Sequence, residues 1–144
     1  MNLGQRLRDW WDRKPLPLHL ARGRLGERAA RAHLQGQGMK FLMANFRSKR
    51  GEIDLVFRDT TCDCLVFVEV KTRSSEDWIR PAAAVNAKKR RLLTKAALDY
   101  LRRLRGPPVR IRFDIVEVLL RDGSVNEVRH LPNTFTLSPP YRYG

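Results

Sequence analysis

Asp54, Glu69 and Lys71 are the residues whose types and spacing point to chemistry. They fall within Gly51 to Lys71, GEIDLVFRDTTCDCLVFVEVK. Two apolar runs there, Ile53 to Phe57 and Leu65 to Lys71, flank the turn-like Asp59-Thr-Thr-Cys-Asp63, which is the pattern of a β-hairpin. Centring the turn between Thr61 and Cys62 sets Asp54 opposite Glu69, Glu52 opposite Lys71 and Ile53 opposite Val70. The side-chain period of two then gives one wholly apolar face, with Ile53, Leu55, Phe57, Val66, Val68 and Val70. The other face carries Asp54, Glu69 and Lys71 at one end, beside Val56, Phe67 and Leu65.

Directly opposed side chains on antiparallel strands have Cβ atoms about 4.5 to 5.5 Å apart, where two carboxylates repel unless a positive charge lies between them. Mg²⁺, a hard cation that takes carboxylate oxygens and keeps several waters, suits that position. Lys71 points to the same side as Glu69, where its ammonium can orient a water or offset charge on a phosphate under attack. The alternative is a solvated hairpin face on which Lys71 pairs with Glu52. Phe67 and Val56 on that face argue against it.

Asp54 followed by Glu69-x-Lys71 resembles the PD-(D/E)XK motif of the restriction-endonuclease-like nucleases. The combination of Gly26-Glu27-x-x-Ala30, Gly51-Glu-Ile-Asp54-Leu, Phe67-Val-Glu69-Val-Lys71-x-Arg73 and Arg112-Phe-Asp114 is similar to the small bacterial YraN family, over roughly residues 22 to 131. Ile53 stands where the generic motif has proline.

The resemblance implies an α/β fold, a restriction-endonuclease-like mixed sheet flanked by helices. It also implies a DNA endonuclease that hydrolyses phosphodiester bonds with Mg²⁺ or Mn²⁺. Asp54, Glu69 and the carbonyl of Val70 would bind the metal, Lys71 would position the attacking water, and Glu27 on the first helix would complete the acidic cluster. Similarity to Holliday-junction resolvases implies branched DNA as substrate. A two-fold homodimer would then let two sites reach two strands.

A chain of 144 residues is expected to form one domain with a sizeable core. Its 29 Lys and Arg against 15 Asp and Glu give a net charge of +14, an excess that calls for a polyanionic partner. Nucleic acid is the first candidate and an anionic membrane the second; solubility alone is the bland alternative. Cys62 and Cys64 are expected as free thiols in a reducing compartment. There is no signal-peptide core and no apolar run of the about 20 residues that span a bilayer, so a cytoplasmic location without a transmembrane segment is expected.

Residues 1 to 17 read as a basic amphipathic extension carrying Leu3, Leu7, Trp10 and Trp11, ended by Pro15 and Pro17. The nuclease-like domain follows over residues 18 to 131, and residues 132 to 144 read as an extended or disordered tail. A first helix from Leu18 to Gln35 carries the stripe Leu18, Ala21, Leu25, Ala29 and Ala32. Gly23 and Gly26 within it suit a place where the backbone approaches something closely. Glu27 lies off the stripe, and its bland reading is a surface pair with Arg24 or Arg31.

A strand from Met39 to Phe46 leads through a basic loop to Gly51, expected to permit the turn. A second helix is expected from Pro81 to Leu104, with Val85, Leu92, Leu93, Ala96, Ala97, Tyr100, Leu101 and Leu104 as its stripe. Lys89 falls inside that stripe, where an inward lysine needs a carboxylate. Asp54 and Glu69 are the obvious partners, and the resemblance also places a supporting lysine there; snorkelling to solvent is the alternative. Two strands follow, Val109 to Leu120 and Val125 to Leu131, joined at Asp122-Gly123. Asp114 reads as structural, pairing with Arg112 or a helix end, and is not assigned to catalysis. Arg22, Arg24, Arg47, Lys49, Arg50, Arg73, Lys88 and Arg91 are the expected phosphate contacts. A non-catalytic nucleic-acid-binding or adaptor protein on the same fold is the second function class.

Overall fold

The computed structural model describes residues 18–74 and 85–137. The Trp-bearing extension, Pro81 and the last seven residues lie outside them. Helix α1, Leu18–Gly36, precedes three strands, β1 Lys40–Ser48, β2 Gly51–Asp59 and β3 Cys64–Ser74. Helix α2, Ala87–Leu104, then leads to β4, Arg110–Arg121, and β5, Ser124–Phe135. The five strands form one sheet in the order β1-β2-β3-β4-β5. Its pairs are antiparallel except β3 with β4, which run parallel. Parallel neighbours need a long crossover, and α2 lies within it. This is a mixed α/β sheet flanked by helices, consistent with the restriction-endonuclease-like expectation.

The β2–β3 register is the one that the turn centre dictates, with Leu55 opposite Val68, Val56 opposite Phe67 and Phe57 opposite Val66. Leu55, Phe57, Val66 and Val68 pack with Val116 and Val118 of β4 against Ala30 and Leu34 of α1. Val56, Leu65 and Phe67 pack with Phe113, Ile115 and Phe135 against Leu93, Ala96, Ala97 and Leu101 of α2.

Ile53 departs from the predicted face and joins the α2 side. Opposite Asp54, Asn45 of β1 adopts a left-handed φ of 52°. That conformation, which asparagine tolerates better than most residues, breaks the pleat. Ala44 and Leu55 therefore serve the α1 side, whereas Phe46 and Ile53 serve the α2 side.

Other expectations shift in register. The face that α1 buries is Gly26, Ala30 and Leu34, with Leu25 and Ala29 half-buried, whereas Leu18 and Ala32 are exposed. Gly26 sets this rotation, because a Cβ there would overlap the Thr72 side chain of β3, while Gly23 faces open space. Gly51 serves close packing, since its Cβ would come within 2.7 Å of the Leu92 carbonyl of α2. Helix α2 begins after Asn86, whose Oδ1 accepts the Lys89 N–H at 2.9 Å; the expected start at Pro81 falls outside the described residues. Asp122 and Gly123 take the left-handed conformations that their two-residue hairpin needs. β5 runs to Phe135, whose ring stacks on Phe113 with centroids 4.7 Å apart.

Cys62 and Cys64 form a disulfide, with Cα atoms 5.3 Å apart, where free thiols were expected. Asp63 between them has a φ of 54°, so the chain folds back instead of extending. Asp114 is structural as expected. It is fully buried and takes Nε and Nη2 of Arg112 at 2.8 and 2.9 Å, His130 Nε2 at 2.7 Å and the Asn133 N–H at 2.9 Å.

The two helical glycines should respond oppositely to alanine. Gly23→Ala should raise the unfolding free energy by about 0.5 to 1 kcal/mol, the propensity difference at a site with room. Gly26→Ala should lower it by about 1 to 3 kcal/mol through overpacking against Thr72. Urea denaturation of both variants checks the pair, and a neutral Gly26→Ala would refute the close approach.

Candidate active site

The β2–β3 ladder ends at Leu55 and Val68, just before Asp54 and Glu69. Beyond it the inter-strand hydrogen bond is replaced by a side-chain one, from the Val70 N–H to Asp54 Oδ2 at 2.8 Å. A strand residue turns its N–H and C=O to the same neighbour, so the Val70 carbonyl also projects toward the gap between β2 and β3. Glu69 is buried, with its side chain only 6% exposed, and its Oε1 lies 3.5 Å from both Lys71 Nζ and Lys89 Nζ. The expected inward lysine of α2 is therefore matched to a carboxylate. Lys71 pairs with Glu69, while Glu52 pairs with Arg47 at 3.6 Å on the surface, so the solvated-face alternative does not hold.

The electrostatics follow from burial of like charges. Burial pushes Asp54 above the ordinary aspartate range, against the Val70 N–H and the ammonium groups of Lys89 and Lys71. Glu69 rises to about 7, first through burial and then through the Asp54 charge, with Lys89 and Lys71 pulling the other way. Glu27 sits on α1 near enough for Asp54 to act on it. Burial and then Asp54 raise its pKa, while the Asn45 side chain and Arg24 oppose.

A divalent cation fits this donor set. Two crowded carboxylates stay raised in pKa despite the two nearby ammonium groups, and a carbonyl faces the same gap. Among the described residues no three His, Cys, Asp or Glu side chains gather as a ligand group. Mg²⁺ commonly uses only one or two carboxylates and completes its shell with water and phosphate oxygens, so two suffice. Glu27 stands beside this pair without joining it as a third ligand.

The expected phosphate contacts distribute unevenly. Arg22, Arg24, Arg47, Lys49, Lys88 and Arg91 are exposed. Arg50 turns to α2, where Asp99 receives its guanidinium at 2.6 Å and the Lys95 carbonyl at 3.4 Å. Arg73 is half-buried and acts on Glu117 of β4. Sequence reasoning passed over Glu117, which is fully buried, with neither carboxylate oxygen hydrogen-bonded. Its signal was a carboxylate in the apolar run Ile115 to Leu120. It lies next to Lys71 in the parallel register, and burial raises its pKa against Arg73 and Arg129.

Glu69 titrates higher in the fold than its ordinary value of 4.5. The native state thus binds its proton more tightly than the unfolded state. The associated stability is present below about pH 4.5 and is lost as the pH rises through about 7. Glu69→Gln keeps the site neutral, so without divalent metal the variant should gain stability over wild type on moving from about pH 5 to about pH 8. Denaturation in EDTA at both values measures the gap, and a constant gap would remove the buried-acid assignment.

The sequence profile of Uncharacterised protein family UPF0102 matches residues 26–118, which hold every residue of this centre. A UPF0102 protein of Trichlorobacter lovleyi is 42% identical over 116 residues, covering 81% of this chain and 91% of its own. One of Porphyromonas gingivalis is 41% identical over 120 residues, covering 83% and 87%. With the profile matching most of the chain and likeness over most of both lengths, the chain belongs to the UPF0102 family, the YraN-type family that its sequence resembles.

Proposed function

We propose that the protein is a divalent-metal-dependent endonuclease that hydrolyses phosphodiester bonds in DNA, with branched DNA such as four-way junctions as its substrate class. The observation that carries this reading is the meeting of Asp54, Glu69, Lys71 and Lys89 at the opened end of β2 and β3. Asp54, Glu69 and the Val70 carbonyl are the groups that would hold Mg²⁺ or Mn²⁺. The bound ion would polarise the phosphoryl oxygen and acidify an attacking water.

Lys71 donates hydrogen bonds that orient that water and offsets charge on the phosphate. Lys89, arriving from the opposite layer, contacts the scissile phosphate. Glu27 assists from α1, near enough to feel the Asp54 charge. The exposed Arg22, Arg24, Arg47, Lys49, Lys88 and Arg91 supply sequence-independent phosphate contacts, as the net charge of +14 favours. Arg50 and Arg73 serve the same strand only through the elements that they brace. A two-fold dimer and a cytoplasmic location complete the proposal. Among the described residues no helix is long and apolar enough to cross a membrane.

One observation favours a second reading, a nucleic-acid-binding or adaptor protein that does not cut: no third ligating side chain joins Asp54 and Glu69 among the described residues. Cleavage of linear, forked and four-way-junction DNA in Mg²⁺ and Mn²⁺ separates the two. Wild type should cut, and both Asp54→Ala and Lys71→Ala should lose about 10² to 10⁴ in rate, the scale of removing one electrostatic or proton-transfer group. If wild type cuts nothing while all three bind DNA with a steep salt dependence, the binding reading replaces the nuclease.

A further inference from the structure

On the α1 side of the sheet, next to the acidic centre, a cavity of about 160 Å³ is lined by Arg24, Glu27, Arg28, Arg31, Ala44 and Leu55. Arg24, Arg28 and Arg31 stand at i, i+4 and i+7, which places them along one face of α1. Ala44 and Leu55 form an apolar floor from the paired strands β1 and β2. Arg31 lies flat over the Phe41 ring, 3.5 Å from its centroid, which fixes that guanidinium. Among the described residues none of these three arginines is in an ion pair. Three positive charges, one of them held by the Phe41 ring, thus meet one carboxylate, Glu27, which burial already disfavours as an anion.

We propose that this cavity is a phosphate subsite that seats a phosphate group of the nucleic-acid strand beyond the one held at Asp54 and Glu69. The inference rests on the nucleic-acid part of the function proposed above, and not on cleavage. Its size suits the ligand, since about 150 Å³ admits a benzene-sized molecule and a phosphate group is smaller. Its chemistry suits it too, because guanidinium forks match phosphate oxygens in a bidentate manner.

Its location sets a path. Lys71 and Lys89 flank the acidic centre on the α2 side of the sheet, whereas Glu27 and Leu55, which follows Asp54, open the cavity on the α1 side. A nucleic-acid strand that lies along the open end of β2 and β3 therefore meets cations of both layers. A terminal phosphate and an internal phosphodiester share this chemistry, and either can occupy the cavity.

The test measures oligonucleotide binding by fluorescence anisotropy in EDTA over a range of salt, so that no cleavage intervenes. Arg24→Gln/Arg28→Gln is compared with wild type and with Arg105→Gln/Arg110→Gln, an equal charge loss at exposed positions toward the far end of the sheet. The cavity variant should bind roughly tenfold more weakly at low salt, with a salt slope smaller by about 0.7 to 1, the contribution of one phosphate contact. The distal variant should keep the wild-type slope.

Probes with a 5′-phosphate and a 5′-hydroxyl separate the two sources. A terminal occupant makes wild type, but not the cavity variant, prefer the phosphorylated end; an internal occupant leaves the two probes equal while the slope still falls. Equal slopes for all three proteins would overturn the subsite while leaving nucleic-acid binding intact. A wild type that binds no oligonucleotide would overturn both.

Discussion

Two carboxylates buried within reach of each other's charge cannot both ionise comfortably, and the structure around Asp54 and Glu69 is arranged about that constraint. The hairpin register brings the pair together just beyond the end of the β2–β3 ladder. Partial relief comes from three directions: the Val70 N–H on Asp54, Lys71 from the same strand as Glu69, and Lys89 from the far layer. Both acids nevertheless remain raised, Asp54 through burial and Glu69 through burial and then the Asp54 charge. A residual need for positive charge is a property that a cation or a shared proton can satisfy, and it is what makes the site chemically distinct from an ordinary ion pair.

Holding such a pair requires a scaffold that does not relax. Both faces of the central strands are buried, so β2 and β3 have no freedom to rotate the acids into water. Two charged clamps add direction to this packing. Arg50 ties the β1–β2 turn to Asp99 of α2, the helix that delivers Lys89. Arg112 ties Asp114 of β4 to Asp59 beside the β2–β3 turn, at 3.0 Å. Burial pushes Asp114 up, but His130, Arg112 and the Asn133 N–H outweigh it and hold the carboxyl below its ordinary range, so this clamp stays charged near neutrality. The acids of the clamps and the acids of the centre therefore differ in kind: the first are satisfied by arginine, the second are left short.

Much of this was legible in the residues because strand periodicity is rigid. One turn centre fixed the register, and the register fixed Asp54 against Glu69. Lys89 was legible for a related reason, as a charge inside a helical stripe must find an opposite charge. What escaped depended on backbone conformation or on absent side chains. Ile53 changed sides because Asn45 on the next strand is left-handed, and α1 turned because a missing Cβ at Gly26 lets Thr72 in. The disulfide escaped because Asp63 reverses a stretch that reads as extended. Glu117 was missed because a lone carboxylate in an apolar strand is usually taken as facing water; here it shares the α2-side face with Lys71 and Arg73.

The centre sets two carboxylates, Asp54 and Glu69, against two ammonium groups, Lys71 and Lys89, inside a molecule of net charge +14, and that local balance bears on the choice between cutting and merely binding. A surface meant only to attract a polyanion gains from every lysine and arginine and loses from each carboxylate near the contact. Buried ionisable groups are also poor stabilisers, since apolar replacements of similar volume are often neutral or stabilising. Asp54 and Glu69 thus weaken both phosphate attraction and the apo fold. A divalent cation held by these two carboxylates would offset both penalties and would itself attract a phosphate oxygen. That conversion is what the proposed hydrolase would depend on, and a surface that only bound a polyanion would gain nothing from it.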